Sequence, residues 1–257
     1  MQTSLFDLTG HVALVTGGNS GIGLGMAEAL AQHGASVAIW GTNPAKNAAA
    51  AERLRAIGNP VLDLVCDVGD HQAVIDSMNA TVAELGRLDS CFVNAGVGGQ
   101  APSFAEMSEE EWHRVLRVNL DGAFYTAQEA VNHMKAQDPQ GGSIVFTTSG
   151  SAFYGQLRGQ HYGGSKAAIN AMMKGIAVEH ARHGIRCNSV LPGWVESDMT
   201  APALGWDTFV QKVMPRIPMR RWGVPADFGG VAVYLASRAS SWHTGDIITL
   251  DGGYHSF

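Results

Sequence analysis

The chain contains 257 residues, 46% of them hydrophobic and 16% charged, and its formal net charge is −6. It lacks the basic surplus that binding to nucleic acid or anionic lipid requires, so we expect neither partner. No apolar stretch reaches the roughly 18 residues that a membrane span needs, and the N-terminus lacks the pattern of a secretory signal. We therefore expect a cytoplasmic protein that does not bind membranes.

Short apolar segments alternate along the chain with longer segments of helical period. This alternation is typical of β-α-β units around a parallel sheet, and the continuously apolar strands are those expected when helices cover both faces. The predicted strands are residues 11–16, 36–40, 61–66, 88–93, 143–148, 186–191 and 247–250. No internal repeat or linker interrupts them. The sequence thus predicts a single α/β domain over residues 1–257, a doubly wound parallel sheet of about seven strands.

Helix signals support the same organisation. Asn43 is a candidate N-cap followed by proline, Asp70 is a second candidate N-cap, and Ser108 with Glu111 has the form of a capping box. Long helices are predicted for residues 109–137 and 162–183. Residues 192–223, rich in Pro, Met and Trp, break the alternation, and we interpret them as a substrate lid.

A glycine-rich turn follows the first predicted strand, where residues 16–23 read TGGNSGIG and open a helix. Glycines allow a sharp turn and close approach to a pyrophosphate, and the helix N-terminus presents free N–H groups to the phosphates. The spacing differs from the G-x-G-x-x-G pattern of many dinucleotide-binding proteins. The residues expected to bind coenzyme here are Gly17, Asn19, Ser20, Gly21, Ile22 and Gly23.

Tyr162 and Lys166 lie four residues apart at the start of a predicted helix, which places both side chains on one face. Hydride transfer at a carbonyl requires a group that supplies or removes a proton at the oxygen. A tyrosine has a pKa near 10, and an adjacent ammonium would stabilise its phenolate. This pair is therefore a candidate for proton transfer.

The turn with its leading Thr16 resembles the T-G-x-x-x-G-x-G turn of the short-chain dehydrogenases and reductases. The resemblance extends over essentially the whole chain. Its further motifs are Asp67-Val68, Asn94-Ala95-Gly96, Asn119, Ser149, Tyr162-Gly163-Gly164-Ser165-Lys166, Pro192-Gly193 and Asp251-Gly252-Gly253. The tail formed by Arg216-Ile217-Pro218, Arg221-Trp222-Gly223-Val224-Pro225 and Asp227 is also similar to that of sugar-acid dehydrogenases and β-ketoacyl reductases.

The resemblance implies a Rossmann-like fold and four catalytic residues: Tyr162, Lys166, Ser149 and Asn119. By the family's pattern Tyr162 exchanges the proton, and Lys166 also holds the nicotinamide ribose. Ser149 hydrogen-bonds the substrate oxygen, and Asn119 holds a water. The coenzyme residues that it adds are Asp67 and Val68 at the adenine, Asn94, Ala95 and Gly96 at the adenosine ribose, and Pro192, Gly193, Val195 and Ser197 at the nicotinamide.

The end of the second predicted strand bears on the choice of coenzyme, because a carboxylate there binds the ribose of NAD and an arginine binds the 2′-phosphate of NADP. Gly41 stands in place of the carboxylate, Thr42 in place of the arginine, and Ser20 is uncharged. Only Lys46 is a nearby cation. A phosphate without a charged partner gains little, which favours NAD slightly, while Thr42, Asn43 and Lys46 leave NADP open.

Substrate contacts are expected from residues 150–161 and from the predicted lid. Ser151, Arg158 and Trp194 are the candidates: Arg158 for a carboxylate, although exposure to solvent fits it equally, and Trp194 for stacking on a ring or sugar. The leading hypothesis is hydride transfer between NAD(P)(H) and a ketone or secondary alcohol, including a sugar acid or another hydroxy or keto acid. The alternative is a dinucleotide-binding sensor or structural protein of the same fold without turnover.

The remaining expectations concern thiols, histidines and assembly. An odd number of cysteines, three in all, predicts reduced buried thiols. His161 is expected to be partly exposed, and His180 and His183 to complement a helix dipole; we expect no metal site. The family resemblance implies a homotetramer.

Overall fold

The structure is a computed structural model in which residues 4–256 are described. Seven strands form one sheet in the order β3-β2-β1-β4-β5-β6-β7, and every pairing is parallel. The strands are β1 Val12–Thr16, β2 Ser36–Gly41, β3 Val61–Val65, β4 Ser90–Val93, β5 Gly142–Thr147, β6 Ile185–Pro192 and β7 Ile247–Leu250. The predicted doubly wound sheet is confirmed, with strand ends shifted by at most two residues.

Ten α-helices are found among the described residues. They are α1 Gly21–Gln32, α2 Pro44–Arg55, α3 His71–Leu85, α4 Glu109–Leu116, α5 Gly122–Ala136, α6 Ser151–Tyr154, α7 Gln160–His180, α8 Ala201–Leu204, α9 Asp207–Val213 and α10 Gly229–Ala236. Short 3₁₀ turns occupy Ala181–His183, Met214–Arg216, Pro225–Phe228, Arg238–Ser240 and Tyr254–Ser256. None of these helices is long and apolar enough to cross a membrane.

Two hydrophobic cores lie on opposite faces of the sheet because successive strand residues point to opposite sides. Val15 faces the core formed with α1, α2 and α10. Leu14, its neighbour in β1, faces the core formed with α3, α5 and α7. Both side chains are fully buried. This two-sided burial explains why the strands are apolar throughout.

The predicted helix over residues 109–137 is interrupted. A π-helical turn, Arg117–Asp121, separates α4 from α5, and Asn119 lies in its centre with no exposed surface. The side-chain amide of Asn119 is hydrogen-bonded to the backbone of Val97, 22 residues earlier. Helical periodicity does not encode a contact of this range, so the sequence suggested an unbroken helix.

The predicted helix caps are largely confirmed. The side chains of Asn43 and Asp70 accept hydrogen bonds from the first turns of α2 and α3. Ser108 accepts a bond from the Glu111 amide at 3.1 Å, but the Glu111 carboxylate bonds Arg114 and His161. Only the serine half of the predicted capping box is therefore observed.

Candidate active site

The glycine turn lies between β1 and α1, at the edge where the carboxyl ends of the parallel strands meet. Gly17 and Gly21 have φ angles of +63° and +51°, a region that favours glycine. A Cβ on Gly23 would collide with the Gly17 carbonyl oxygen and lie 2.5 Å from Asn94 Nδ2. The glycines are thus required both by backbone conformation and by close packing against the residue after β4.

The other predicted residues of this turn serve it in different ways. Ser20 is the N-cap residue of α1 but makes no side-chain capping bond, and Ile22 packs against the hydrophobic core. Asn19 turns toward β2, where its amide donates to Asn47 Oδ1 at 2.6 Å. The side chain of Asn19 therefore packs against Asn47 and Gly41, near the end of β2.

Hydrogen bonds join the ends of β1, β4 and β5. The Thr16 hydroxyl accepts bonds from the amides of Asn94 and Ala95, both at 3.0 Å. Asn94 Nδ2 donates to the Thr16 carbonyl, and Asn94 Oδ1 accepts a bond from the Thr147 hydroxyl, again at 3.0 Å. Thr147 was not predicted from the sequence, where its only signal was a hydroxyl at the end of a buried strand.

Ser149, Tyr162 and Lys166 converge beside this framework. Ser149 follows β5 by two residues, and its Oγ lies 2.7 Å from Ser151 Oγ. Tyr162 is in the first turn of α7 and is hydrogen-bonded to Ser149. Lys166 Nζ lies 5.8 Å from the centre of the Tyr162 ring and donates to the Thr147 carbonyl at 2.9 Å. The predicted single helix face is therefore found.

Asn119 reaches the same region from the π-helical turn. The Val97 amide donates to Asn119 Oδ1 at 2.7 Å, and Asn119 Nδ2 donates to the Val97 carbonyl at 3.0 Å. A Cβ built on Gly96 would lie 3.2 Å from Asn119 Oδ1 and 3.4 Å from Lys166 Nζ. The structure thus brings Asn119 and Lys166 together around Gly96.

Burial governs the protonation of the two titratable groups. Burial lowers the pKa of Lys166 to about 8, and it raises the pKa of Tyr162, an effect that the hydrogen bond with Ser149 opposes. The sequence suggested that the ammonium would lower the tyrosine pKa, but desolvation of the phenolate is the larger effect here. Tyr162 is therefore protonated at neutral pH.

At the end of β2, a pair of asparagines fills the place where a carboxylate would stand. Asn47 Nδ2 donates to the carbonyls of Gly41 and Leu64, at 2.9 Å each. A Cβ on Gly41 would collide with Asn19 Nδ2 and lie 2.6 Å from Asn47 Oδ1. A side chain at position 41 would therefore require Asn19 and Asn47 to move. Asn47 was not predicted from the sequence, where its signal was one polar residue within the alanine-rich α2.

The other residues near the end of β2 are exposed. Thr42 is exposed, and Asn43 Oδ1 caps α2 by accepting from the Lys46 amide at 3.0 Å. Lys46 Nζ pairs with Asp198 at 2.6 Å. The cation suggested for a 2′-phosphate is thus held by a carboxylate of the segment after β6.

The predicted adenine residues follow β3. Asp67 Oδ1 accepts from the Gly69 amide and Asp67 Oδ2 pairs with Arg117, both at 2.9 Å. Val68 is buried, and its side chain packs where a Cβ on Gly122 would be. The partner Arg117 was not recognised from the sequence, because only the π-helical turn brings it to β3.

The segment after β6 packs along the cleft. Pro192 ends β6, a Cβ on Gly193 would lie 2.6 Å from Asp251 Cα, and Val195 is buried and bridges to Gly223. Ser197 Oγ lies 3.0 Å from Thr200 Oγ1. A Cβ built on Gly21 would lie 3.4 Å from Ser197 Cβ, so this segment lies beside the glycine turn.

The substrate candidates are found in three settings. Ser151 contacts Ser149, as described above. The Trp194 ring packs edge-on against Phe209 of α9, with 4.7 Å between centres. Arg158 has an exposed side chain and a φ of +61°, so the solvent-exposed alternative describes it in this structure.

The expectation for His161 was wrong, since the side chain is fully buried. His161 Nε2 lies 3.1 Å from Glu111 Oε1, because the first turn of α7 faces α4. Hydrogen bonds from Arg114 and then His161 lower the pKa of Glu111 to about 2. The sequence alone did not show that α4 would cover this face.

Cys66, Cys91 and Cys187 are free and buried, as predicted. Within residues 4–256 no group of three or more His, Cys, Asp or Glu side chains is arranged to hold a metal ion.

Comparison with known proteins places these features in a family. The family model described as enoyl-(acyl carrier protein) reductase matches residues 17–255. The chain is 38% identical to a sorbose reductase of Schizosaccharomyces pombe, over 99% of this chain and 100% of that protein. It is 36% identical to the solved structure of a short-chain type dehydrogenase/reductase from Mycobacterium marinum, with a TM-score of 0.91 and 97% of each chain covered.

A second solved structure, a gluconate 5-dehydrogenase from Burkholderia cenocepacia in complex with NADP and tartrate, is 33% identical, with a TM-score of 0.92 and 98% of each chain covered. The chain therefore belongs to the short-chain dehydrogenase/reductase family. It is an NAD(P)-dependent oxidoreductase, as the resemblance implied.

Proposed function

We propose that Tyr162, Ser149, Lys166 and Asn119 carry out the proton chemistry of a ketone reductase or secondary-alcohol dehydrogenase. The observation that carries this proposal is the convergence of all four side chains beside the glycine turn. A nicotinamide coenzyme supplies or accepts the hydride. The chain's own residues must then manage the charge and the proton at the substrate oxygen.

In the reducing direction Tyr162 donates its phenolic proton to the oxygen that becomes the alcohol. Its raised pKa keeps that proton in place at neutral pH. Ser149 donates a hydrogen bond to the same oxygen, which stabilises the negative charge as it develops. Lys166, fixed by the Thr147 carbonyl, is the positive charge nearest the resulting phenolate. Asn119, fixed by the backbone of Val97, is the next polar side chain beside Lys166.

The residues present fit a dinucleotide. The glycine turn precedes the N-terminus of α1, with Gly17 and Gly21 in the positive-φ region that favours glycine, and free N–H groups at such a helix start can bind a pyrophosphate. The proposed coenzyme contacts are those predicted from the sequence: Gly17, Asn19, Ser20, Gly21, Ile22, Gly23, Thr42, Asn43, Asp67, Val68, Asn94, Ala95, Gly96, Tyr162, Lys166, Pro192, Gly193, Val195 and Ser197. The asparagine contacts described above assign the Asn19 side chain a supporting role.

We propose that both NADP and NAD are accepted. The slight lean to NAD has no further support, since a related solved structure contains NADP. Residues 40–47 include no acidic side chain that would repel a 2′-phosphate. Lys46 is the single cation in that stretch.

The proposed substrate is a polyhydroxylated ketone, such as a keto sugar or keto sugar acid. Two relatives of this chain are named as a sorbose reductase and a gluconate 5-dehydrogenase. The segment 150–161 adds polar side chains, including Ser151 beside Ser149, and Trp194 provides an aromatic side chain.

Steady-state oxidation of NADPH and NADH against L-sorbose, 5-ketogluconate, an acetoacetyl thioester and a cyclic ketone tests this proposal. We expect turnover on the keto sugar or the keto acid above that on the other two. Turnover only on the thioester would contradict the substrate class. Coenzyme binding without oxidation on any carbonyl would favour the alternative of a binding protein without turnover.

We further propose that the chain forms one cytoplasmic domain, with residues 192–223 as the substrate lid. We also propose that it assembles as a homotetramer. Large apolar side chains left exposed on the single chain support an assembly: Trp242 is fully exposed and Val178 is 84% exposed. Light scattering with Val178→Lys compared with the wild type tests the proposal. We expect four copies for the wild type and fewer for the variant; a monomeric wild type would refute it.

A further inference from the structure

One ion pair links two segments that are distant in sequence, the start of α2 and the residues after β6. Lys46 Nζ, in the first turn of α2, lies 2.6 Å from Asp198 Oδ2, 152 residues later in the segment after β6. The side chains are 51% and 77% exposed. An exposed pair of this kind is weak and exchanges readily for another partner.

Neighbouring contacts locate this pair. A Cβ built on Gly21 would lie 3.4 Å from Ser197 Cβ, the residue before Asp198. A Cβ on Gly98, after β4, would lie 3.5 Å from Met199 Cγ, the residue after it. Asp198 thus lies close to the glycine turn, and its side chain reaches Lys46 near the end of β2. In folds of this type the adenosine ribose of a dinucleotide lies at the end of β2.

No other charged side chain between residues 40 and 47 competes for this role. Gly41 has its space filled by Asn19 and Asn47, and Asn43 Oδ1 is engaged in capping α2. Lys46 is therefore the cation available to a phosphate on the ribose. Its present partner, Asp198, carries the same sign of charge as that phosphate.

We propose that Asp198 sets the coenzyme preference by competing with the 2′-phosphate of NADP for Lys46. Binding of NADP requires Lys46 to leave Asp198 and brings the phosphate near a carboxylate. Binding of NAD requires neither change. Asp198 therefore lowers the affinity for NADP selectively, and Lys46 is the residue through which it acts. The proposal rests on the dinucleotide binding proposed above.

The test is a set of equilibrium titrations with NADP⁺ and NAD⁺, followed by protein fluorescence, on the wild type, Asp198→Asn, Lys46→Gln and the double variant. We expect Asp198→Asn to raise the affinity for NADP⁺ relative to NAD⁺ by about twofold to fivefold, the range that an exposed ion pair supplies. Lys46→Gln should lower the relative affinity for NADP⁺. In the Lys46→Gln background, Asp198→Asn should lose most of its selective effect.

Asp63→Asn is the matched control. It breaks the exposed Arg55–Asp63 pair, 2.7 Å long, at the opposite end of α2. We expect no change in the ratio of the two affinities. An equal change for NAD⁺ and NADP⁺ in Asp198→Asn, or a selective effect that persists without Lys46, would overturn the proposal. If neither dinucleotide binds the wild type, the proposed function itself fails, which is a distinct result.

Discussion

The candidate proton-transfer centre and the coenzyme rim differ in how their polar groups are held. In the centre, Lys166 and Asn119 are buried and bonded to backbone atoms. At the rim, Lys46 and Asp198 are exposed and hold each other. A buried group that loses its partner pays the full cost of desolvation, whereas water and salt replace an exposed partner. The centre should therefore respond strongly to substitution and the rim weakly.

Ser149→Ala tests the strong side of this comparison. Removing a hydrogen-bond donor to a developing oxyanion lowers kcat by roughly 10²–10³, and we expect a loss of that size with coenzyme affinity unchanged. Ser151→Ala removes the neighbouring hydroxyl, 2.7 Å away, and should lose less. Steady-state kinetics on both variants measures the difference. Equal losses would refute the specific role of Ser149.

Lys166→Met tests the cost of burying an ammonium. The pKa of Lys166 falls from 10.5 to about 8; at 1.36 kcal/mol per pKa unit this is on the order of 3 kcal/mol. Between those pH values the unfolded chain binds a proton that the folded chain does not, so wild-type stability rises with pH. Lys166→Met should lack this rise.

Denaturant unfolding at several pH values between 7 and 10.5 measures this effect. Lys174→Met, on an exposed position of the same helix, is the control and should follow the wild type. A parallel pH dependence for wild type and Lys166→Met would show that Lys166 has an ordinary pKa.

Gly41→Asp would introduce the carboxylate typical of NAD-binding relatives. We expect this variant to have a lower free energy of unfolding than the wild type. The new side chain would displace the Asn19–Asn47 pair, and overpacking of this kind costs about 1–3 kcal/mol. Thr42→Asp, one residue on and exposed, should leave the free energy of unfolding nearly unchanged. Denaturant unfolding compares the two. An undiminished stability of Gly41→Asp would contradict the described packing.

Asn119→Ala should destabilise the chain by about 1–3 kcal/mol, since it leaves both backbone groups of Val97 without their partners. Asn132→Ala, on the exposed side of α5, is the matched control. Thermal and denaturant unfolding measure both. If the two variants unfold alike, Asn119 does not anchor the segment after β4.

The difference between local patterns and long-range contacts explains which features the sequence predicted. The strands and the caps of α2 and α3 are local patterns, and β7 was predicted with its observed ends, Ile247–Leu250. The burial of His161, the π-helical turn around Asn119 and the filling of Gly41 by Asn47 depend on contacts between distant segments. Candidate residues of the centre were predicted because their motifs carry chemistry. Lys166 and Asn119 are held by the backbone of Thr147 and Val97, and a backbone contact leaves no such motif.

The account depends most on Tyr162 as the proton donor. The direct measurement compares Tyr162→Phe with the wild type, with kcat obtained from oxidation of reduced coenzyme on an accepted ketone and the dissociation constant of the coenzyme from fluorescence titration. Loss of a general acid costs roughly 10²–10⁴ in rate. We predict a loss of kcat in that range with the coenzyme dissociation constant unchanged. A variant that turns over as fast as the wild type would contradict the assignment of Tyr162.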